Sequence, residues 1–145
     1  MVYRRCLMML GNPADAEDAL QEVFVRAMRA ADSFRQESSP MTWLYRISTN
    51  HCLNFIRSAK RRNAGIKRQT QAGSISTSVS SSSIEEIAMI REMLPAFDRD
   101  TQELAVYYFI DEMSQEEVAH ILNLSVPTVR KRLKIFVQKA KQQLK

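Results

Sequence analysis

The chain has 145 residues, 45% of them hydrophobic, with 21 Lys and Arg against 16 Asp and Glu for a net charge of +5, and it holds two cysteines, three glycines and four prolines. That length suits one ordinary domain or two small ones, and so few glycines and prolines exclude a β-sandwich or barrel, which needs a turn about every 8 to 12 residues. Cys6 and Cys52 make no disulfide framework and read as small core residues of a protein in a reducing compartment, while the longest apolar runs, 6–10 and 104–110, fall far short of the roughly 20 residues that cross a bilayer; an all-α protein working in the cytoplasm is expected.

Arg4 and Arg5 ahead of the run 6–10 imitate the charged start of a signal peptide. Its apolar stretch is too short, since at least about seven residues are required, so the segment reads as a helix. Between 12 and 31, Ala16, Ala19, Leu20, Val23, Phe24, Ala27 and Met28 recur at spacings of three and four, one face of a helix opened by Asn12-Pro13. The opposite face carries Asp15, Glu17, Asp18, Gln21 and Glu22. A polar loop over 32–39 leads into a second helix, 40–62, capped by Ser39 ahead of Pro40 and carrying Trp43, Leu44, Ile47, Cys52, Phe55 and Ile56. Trp43 is in phase with Leu44 and Ile47 and is expected in the core.

Residues 69–84 hold no charge, and seven of the ten residues 74–83 are serine, too little apolar surface to offset the entropy of ordering them. The chain is therefore expected to divide into a helical module at 1–62, a flexible Ser-rich linker at 63–83 and a second helical module at 84–145. In the second module helices are expected over 84–94, ended by Pro95, then over 98–111, 114–122 and 126–144.

Ser114-Gln-Glu-Glu117 is a capping box, and Asn123-Leu-Ser125 forms the turn that follows its helix. Asn tolerates the left-handed conformation such a turn demands, and Ser125 caps the next helix ahead of Pro127. Ala119 allows a close helix crossing, and Val118, Ile121, Leu122, Leu124, Val129 and Leu133 supply the shared core. The second helix is basic: from Pro127 onward there are seven Lys or Arg and no acid. Helix, three-residue turn and basic helix make a helix-turn-helix, with Pro127, Thr128 and Lys131 expected near base edges of a major groove and Arg130, Arg132 and Lys134 toward bases or phosphates. A solvated basic face favoured by the helix dipole is the blander alternative.

The run Asp15-Ala-Glu-Asp-Ala-Leu-Gln-Glu-Val-Phe24, then Ser33-Phe34-Arg35, Thr42-Trp-Leu-Tyr-Arg-Ile47 with Asn50, Arg57 and Lys60-Arg-Arg62 resembles region 2 of sigma-70 family initiation factors. The likeness is to the extracytoplasmic-function (ECF) group. Leu94-Pro95, Glu116-Glu-Val-Ala119 and Pro127-Thr-Val-Arg130 resemble that group's region 4. The resemblance implies a transcription initiation factor that binds core RNA polymerase and recognises the −10 and −35 elements of double-stranded and melted promoter DNA. It places Asp18, Gln21 and Glu22 on the polymerase, and Phe34, Arg46, Asn50, Arg57, Lys60, Arg61 and Arg62 at the −10 element, where Phe34 and Asn50 would hold an extruded base. The group is often held by an anti-sigma factor, which no residue here identifies. Its members usually carry a further segment ahead of the position of Met1, so the resemblance also implies a shortened N terminus with a partial helix over 2–10: either the start is truncated or misassigned, or the first module is less stable than its relatives. A glycine commonly stands where this chain has Pro127.

A stand-alone helix-turn-helix regulator is the competing expectation, although it would not require Asp18, Gln21 and Glu22 together with the Trp43 to Asn50 helix. An enzyme is not expected. There is no glycine-rich phosphate loop and no Cys or His pair at metal-ligand spacing, and His51 and His120 read as ordinary helix residues. No catalytic residue, cofactor or metal is expected.

Overall fold

A computed structural model describes residues 2–34, 39–62 and 81–143. Arg35 and most of the expected linker lie outside them. Every regular element among the described residues is helical, and the chain divides into two compact units, Met1–Ser80 and Ser81–Lys145.

In the first unit α1 (Val2–Leu10), α2 (Pro13–Ala30) and α3 (Pro40–Arg62) pack against one another, and a short 3-10 turn, Ala31–Ser33, follows α2. The caps are those of the sequence pattern. The Asn12 side chain accepts from the backbone N–H of Ala14 at 2.8 Å and of Asp15 at 3.2 Å, and Ser39 Oγ accepts from Thr42 N–H at 3.1 Å. Gly11, at φ 73°, turns the chain between α1 and α2.

The buried face of α2 is narrower than the periodicity predicts. Ala16, Ala19, Val23 and Ala27 face the core, whereas Phe24 is 47% and Met28 76% exposed. Small alanines let α2 lie close to its neighbours, and the residues beside that seam then fall outside it. Trp43, Leu44 and Ile47 are likewise only half-buried, and the buried side of α3 is Ser48, Thr49, Cys52 and Leu53. Its polar members, Ser48 and Thr49, face the buried guanidinium of Arg5. Cys6 and Cys52 are fully buried and lie thiol against thiol, and hydrogen bonding to Cys6 together with burial pushes the Cys52 thiol up.

The second unit comprises α4 (Ser81–Met93), α5 (Arg99–Ala105), α6 (Gln115–Leu122) and α7 (Val126–Gln143), with a 3-10 turn at Leu94–Ala96. Helix α4 starts within the segment expected to be linker. The helix expected over 98–111 changes type at its centre: after α5 the chain widens into a π-helical turn, Val106–Ile110. The wider turn points more of a five-residue apolar run inward, burying Val106, Tyr107 and Ile110 and setting the Phe109 ring 5.6 Å from that of Phe136. Met93, Leu94, Leu104, Val118, Val129, Leu133 and Phe136 are buried with them. Ile121, Leu122 and Leu124 reach it only in part.

Asn123 ends α6 at φ 56°, ψ 46°, the left-handed region in which an Asn side chain is tolerated. Ser114 Oγ accepts from Glu117 N–H at 3.1 Å, and Ser125 Oγ accepts from Thr128 N–H at 3.3 Å. Both helices of the helix-turn-helix are thereby capped, and α6 packs on α7.

Candidate functional site

Three surfaces carry the residues singled out in the sequence. On α2, Asp18 and Gln21 are exposed and Glu22 is half-buried, paired at 3.1 Å with Arg26 one turn on. Such an exposed pair contributes little stability, so Glu22 can exchange Arg26 for another cation. Phe24, Val25 and Met28 stand exposed on the same side, an apolar strip among the acids that an inward-facing pattern concealed. Across from it on α3, His51 lies half-buried near Arg26 and Glu22. Burial and the Arg26 charge hold its imidazole below the usual histidine range, against a smaller opposing effect of Glu22.

Helix α3 sorts its polar residues by face. Arg46, Asn50, Arg57 and Arg61 are exposed and, at helical spacing, share one stripe. Lys60 is exposed at the edge of that stripe, whereas the Arg62 guanidinium lies 6.0 Å from the ring of Phe55. Three of the four terminal cations therefore share or border the stripe, and Arg62 stands away from it. Phe34 follows the 3-10 turn, its N–H donating to Ala31 O at 3.2 Å, and its ring lies 5.1 Å from that of Trp43 at 48°. Trp43 is thus the partner of Phe34 beside the Arg46–Asn50 stripe and not a core residue. The apolar phase shared with Leu44 and Ile47 hid this role, and only Phe34 itself signalled it.

Helix α7 presents Pro127, Arg130, Lys131 and Lys134 to solvent. Arg132 points elsewhere: its Nη1 lies 3.7 Å from Asp100 Oδ2, turned toward α5 and away from that group. The hydroxyl of Thr128 shares a 2.7 Å hydrogen bond with Ser125 Oγ, so it belongs to the cap before it belongs to any ligand. Opposite these groups Val129, Leu133, Phe136 and Ala140 anchor the helix in the core. Among the described residues no group of three His, Cys, Asp or Glu side chains could hold a metal ion, and no helix is long and apolar enough to cross a membrane.

The family model of sigma-70 region 2 matches residues 1–62. The chain is 33% identical over 143 residues to the ECF RNA polymerase sigma factor SigW of Bacillus subtilis (strain 168), a match covering 91% of this chain and 76% of that protein. The chain belongs to the sigma-70 family. Its group is the ECF sigma factors, as a second relative agrees: the ECF RNA polymerase sigma-E factor of Escherichia coli (strain K12), 31% identical over 132 residues, 82% of this chain and 68% of that one. Because both alignments extend well past residue 62, the likeness includes the second unit. This sigma factor is a transcription initiation factor, and the region 2 match leaves the stand-alone regulator without support.

Two solved structures share the fold. The sigma factor RpoE, in complex with the anti-sigma factor NepR from Bartonella quintana, superposes with a TM-score of 0.62 at 19% identity, covering 99% of this chain and 89% of that one. CnrH, in complex with the cytosolic domain of CnrY, gives 0.56 at 26% identity, with 99% and 78% covered.

Proposed function

We propose that this sigma factor binds core RNA polymerase through α2, captures the melted −10 strand on α3 and reads the −35 duplex with α7, catalysing nothing itself and working in the cytoplasm. The observation that carries this reading is the coexistence in one chain of three differently built surfaces: acid mixed with apolar side chains on α2, paired rings beside an arginine-asparagine stripe on α3, and exposed cations on α7.

Each surface suits its target. On α2, Asp18, Gln21 and Glu22 would meet a basic groove and steer the encounter, while Phe24, Val25 and Met28 add the apolar area from which a docked interface draws its affinity. On α3, unstacking a base costs a few kcal/mol, which an aromatic platform and an amide on the exposed base edge offset. Phe34 with Trp43 provides the platform and Asn50 the amide, with Arg46 alongside. Arg57, Lys60, Arg61 and Arg62 at the end of that helix hold phosphates. On α7, Lys131 and Arg130 reach base edges from a helix laid in the major groove. Pro127 and Lys134 border that contact, Thr128 contributes its methyl face, and Arg132 reaches DNA only by leaving Asp100. An anti-sigma factor would act by covering one of these faces.

Reconstitution tests the reading. Core RNA polymerase mixed with the full chain should form a complex at micromolar concentration and initiate at discrete sites on genomic DNA. Failure to bind, or initiation identical to that of core enzyme alone, would sink it.

A further inference from the structure

Arg5 is 3% exposed on α1, and its charged end reaches α3. Nη1 donates to Tyr45 O at 3.0 Å and also to Ser48 Oγ, Nη2 donates to Thr49 Oγ1 at 2.8 Å, and the guanidinium carbon lies 4.1 Å from the centre of the Tyr45 ring. Ser48 Oγ in turn donates to Tyr45 O at 3.0 Å. One planar fork thus grips a carbonyl, two hydroxyls and a ring within a single turn of α3.

We propose that Arg5 is a positioning residue that sets the rotation of α3 about its own axis, and so the presentation of Arg46 and Asn50 to the melted strand. The proposal rests on the α3 reading above. Tyr45 and Thr49 each immediately precede one of the proposed DNA-binding residues, and consecutive residues of a helix differ by about 100°. Turning α3 by one position would put Asn50 where Thr49 now faces the core. Apolar packing alone resists that poorly, because burial of apolar surface is non-directional. A guanidinium does so well: its donors have fixed directions, and a buried charge that loses its hydrogen bonds is costly. Satisfied polar networks of this kind select one arrangement of packed helices.

The test uses holoenzyme reconstituted from the full chain and core RNA polymerase. Two affinities are measured: for core enzyme, and for a fluorescent single-stranded oligonucleotide copying the non-template −10 segment of a promoter at which the wild-type holoenzyme initiates. Arg5→Met keeps length and removes the fork; it should weaken the oligonucleotide about tenfold while core affinity stays within about twofold. Arg5→Lys keeps the charge without the fork and should not restore binding. Wild-type oligonucleotide affinity in Arg5→Met, equal losses in both assays, or full restoration by Arg5→Lys would overturn the proposal. If Arg5→Met does not fold, Ser48→Ala with Thr49→Val removes the acceptors instead and is judged by the same criterion. Asn50→Ala separates the two levels: loss of the oligonucleotide there with wild-type binding by the fork variants rejects Arg5 alone, and wild-type binding by Asn50→Ala rejects the α3 reading and the proposal with it.

Discussion

Helices α3 and α7 are both basic, α3 at its C-terminal end and α7 mainly over its first half, but they are built to different specifications. The exposed stripe of α3 combines arginines with Asn50 beside a pair of half-buried rings, and its buried side includes polar Ser48 and Thr49, which meet the Arg5 fork of α1. Helix α7 has a purely apolar buried side and a solvent side of cations. A base taken out of the stack offers a π-face and an amide-sized edge, whereas an intact duplex offers phosphates and groove edges. Charge alone would make the two helices look equivalent; what accompanies the charge separates them.

The comparison can be broken most severely through the cores. Phe136→Ala should cost the second unit about 3 to 5 kcal/mol, because the ring is 1% exposed and packs against Phe97 and Phe109. Hydrogen exchange should show α4 to α7 losing protection while α1 to α3 keep theirs; joint loss would mean that the units do not act separately. Next, Asn50→Ala and Phe34→Ala should each reduce open-complex formation by about one to two orders of magnitude, with binding to upstream duplex nearly unchanged. Arg130→Ala and Lys131→Ala should do the reverse, weakening upstream duplex binding by about 1 to 3 kcal/mol and lowering the salt slope by about one for each phosphate that the missing cation neutralised.

Two smaller effects sharpen the picture. Asn123→Val places a β-branched residue at φ 56° and should destabilise the second unit by about 1 kcal/mol in chemical denaturation. In the first unit, His51 has its pKa lowered by burial and by Arg26, so the unfolded chain takes up the proton first as pH falls. Stability should therefore be complete above about pH 6.5 and decline below it. His51→Gln should flatten that decline; an unchanged pH profile would show that the imidazole does not titrate with folding.

Much of the fold was readable because its signals are local. Asn12, Ser39, Ser114 and Ser125 announce helix starts through hydroxyl or amide oxygens placed before a turn of free N–H groups, and Asn123 announces the turn by tolerating positive φ. What escaped depends on packing partners far along the chain. Nothing local marks Arg5 as buried, since its acceptors lie 40 to 44 residues away. Apolar spacing could not tell that alanine would line the α2 seam and leave Phe24 and Met28 outside, nor that Trp43 would meet Phe34. The π-helical turn at Val106–Ile110 and the rotation of Arg132 toward Asp100 were hidden for the same reason, as each answers to a neighbouring helix.

The division of labour between α3 and α7 is tested most directly by footprinting one promoter with holoenzymes carrying Asn50→Ala or Lys131→Ala. Permanganate would report melted −10 thymines and hydroxyl radicals the upstream protection. Asn50→Ala should abolish thymine reactivity and keep upstream protection, and Lys131→Ala should lose upstream protection first. Loss of both signals together in both variants would contradict the account.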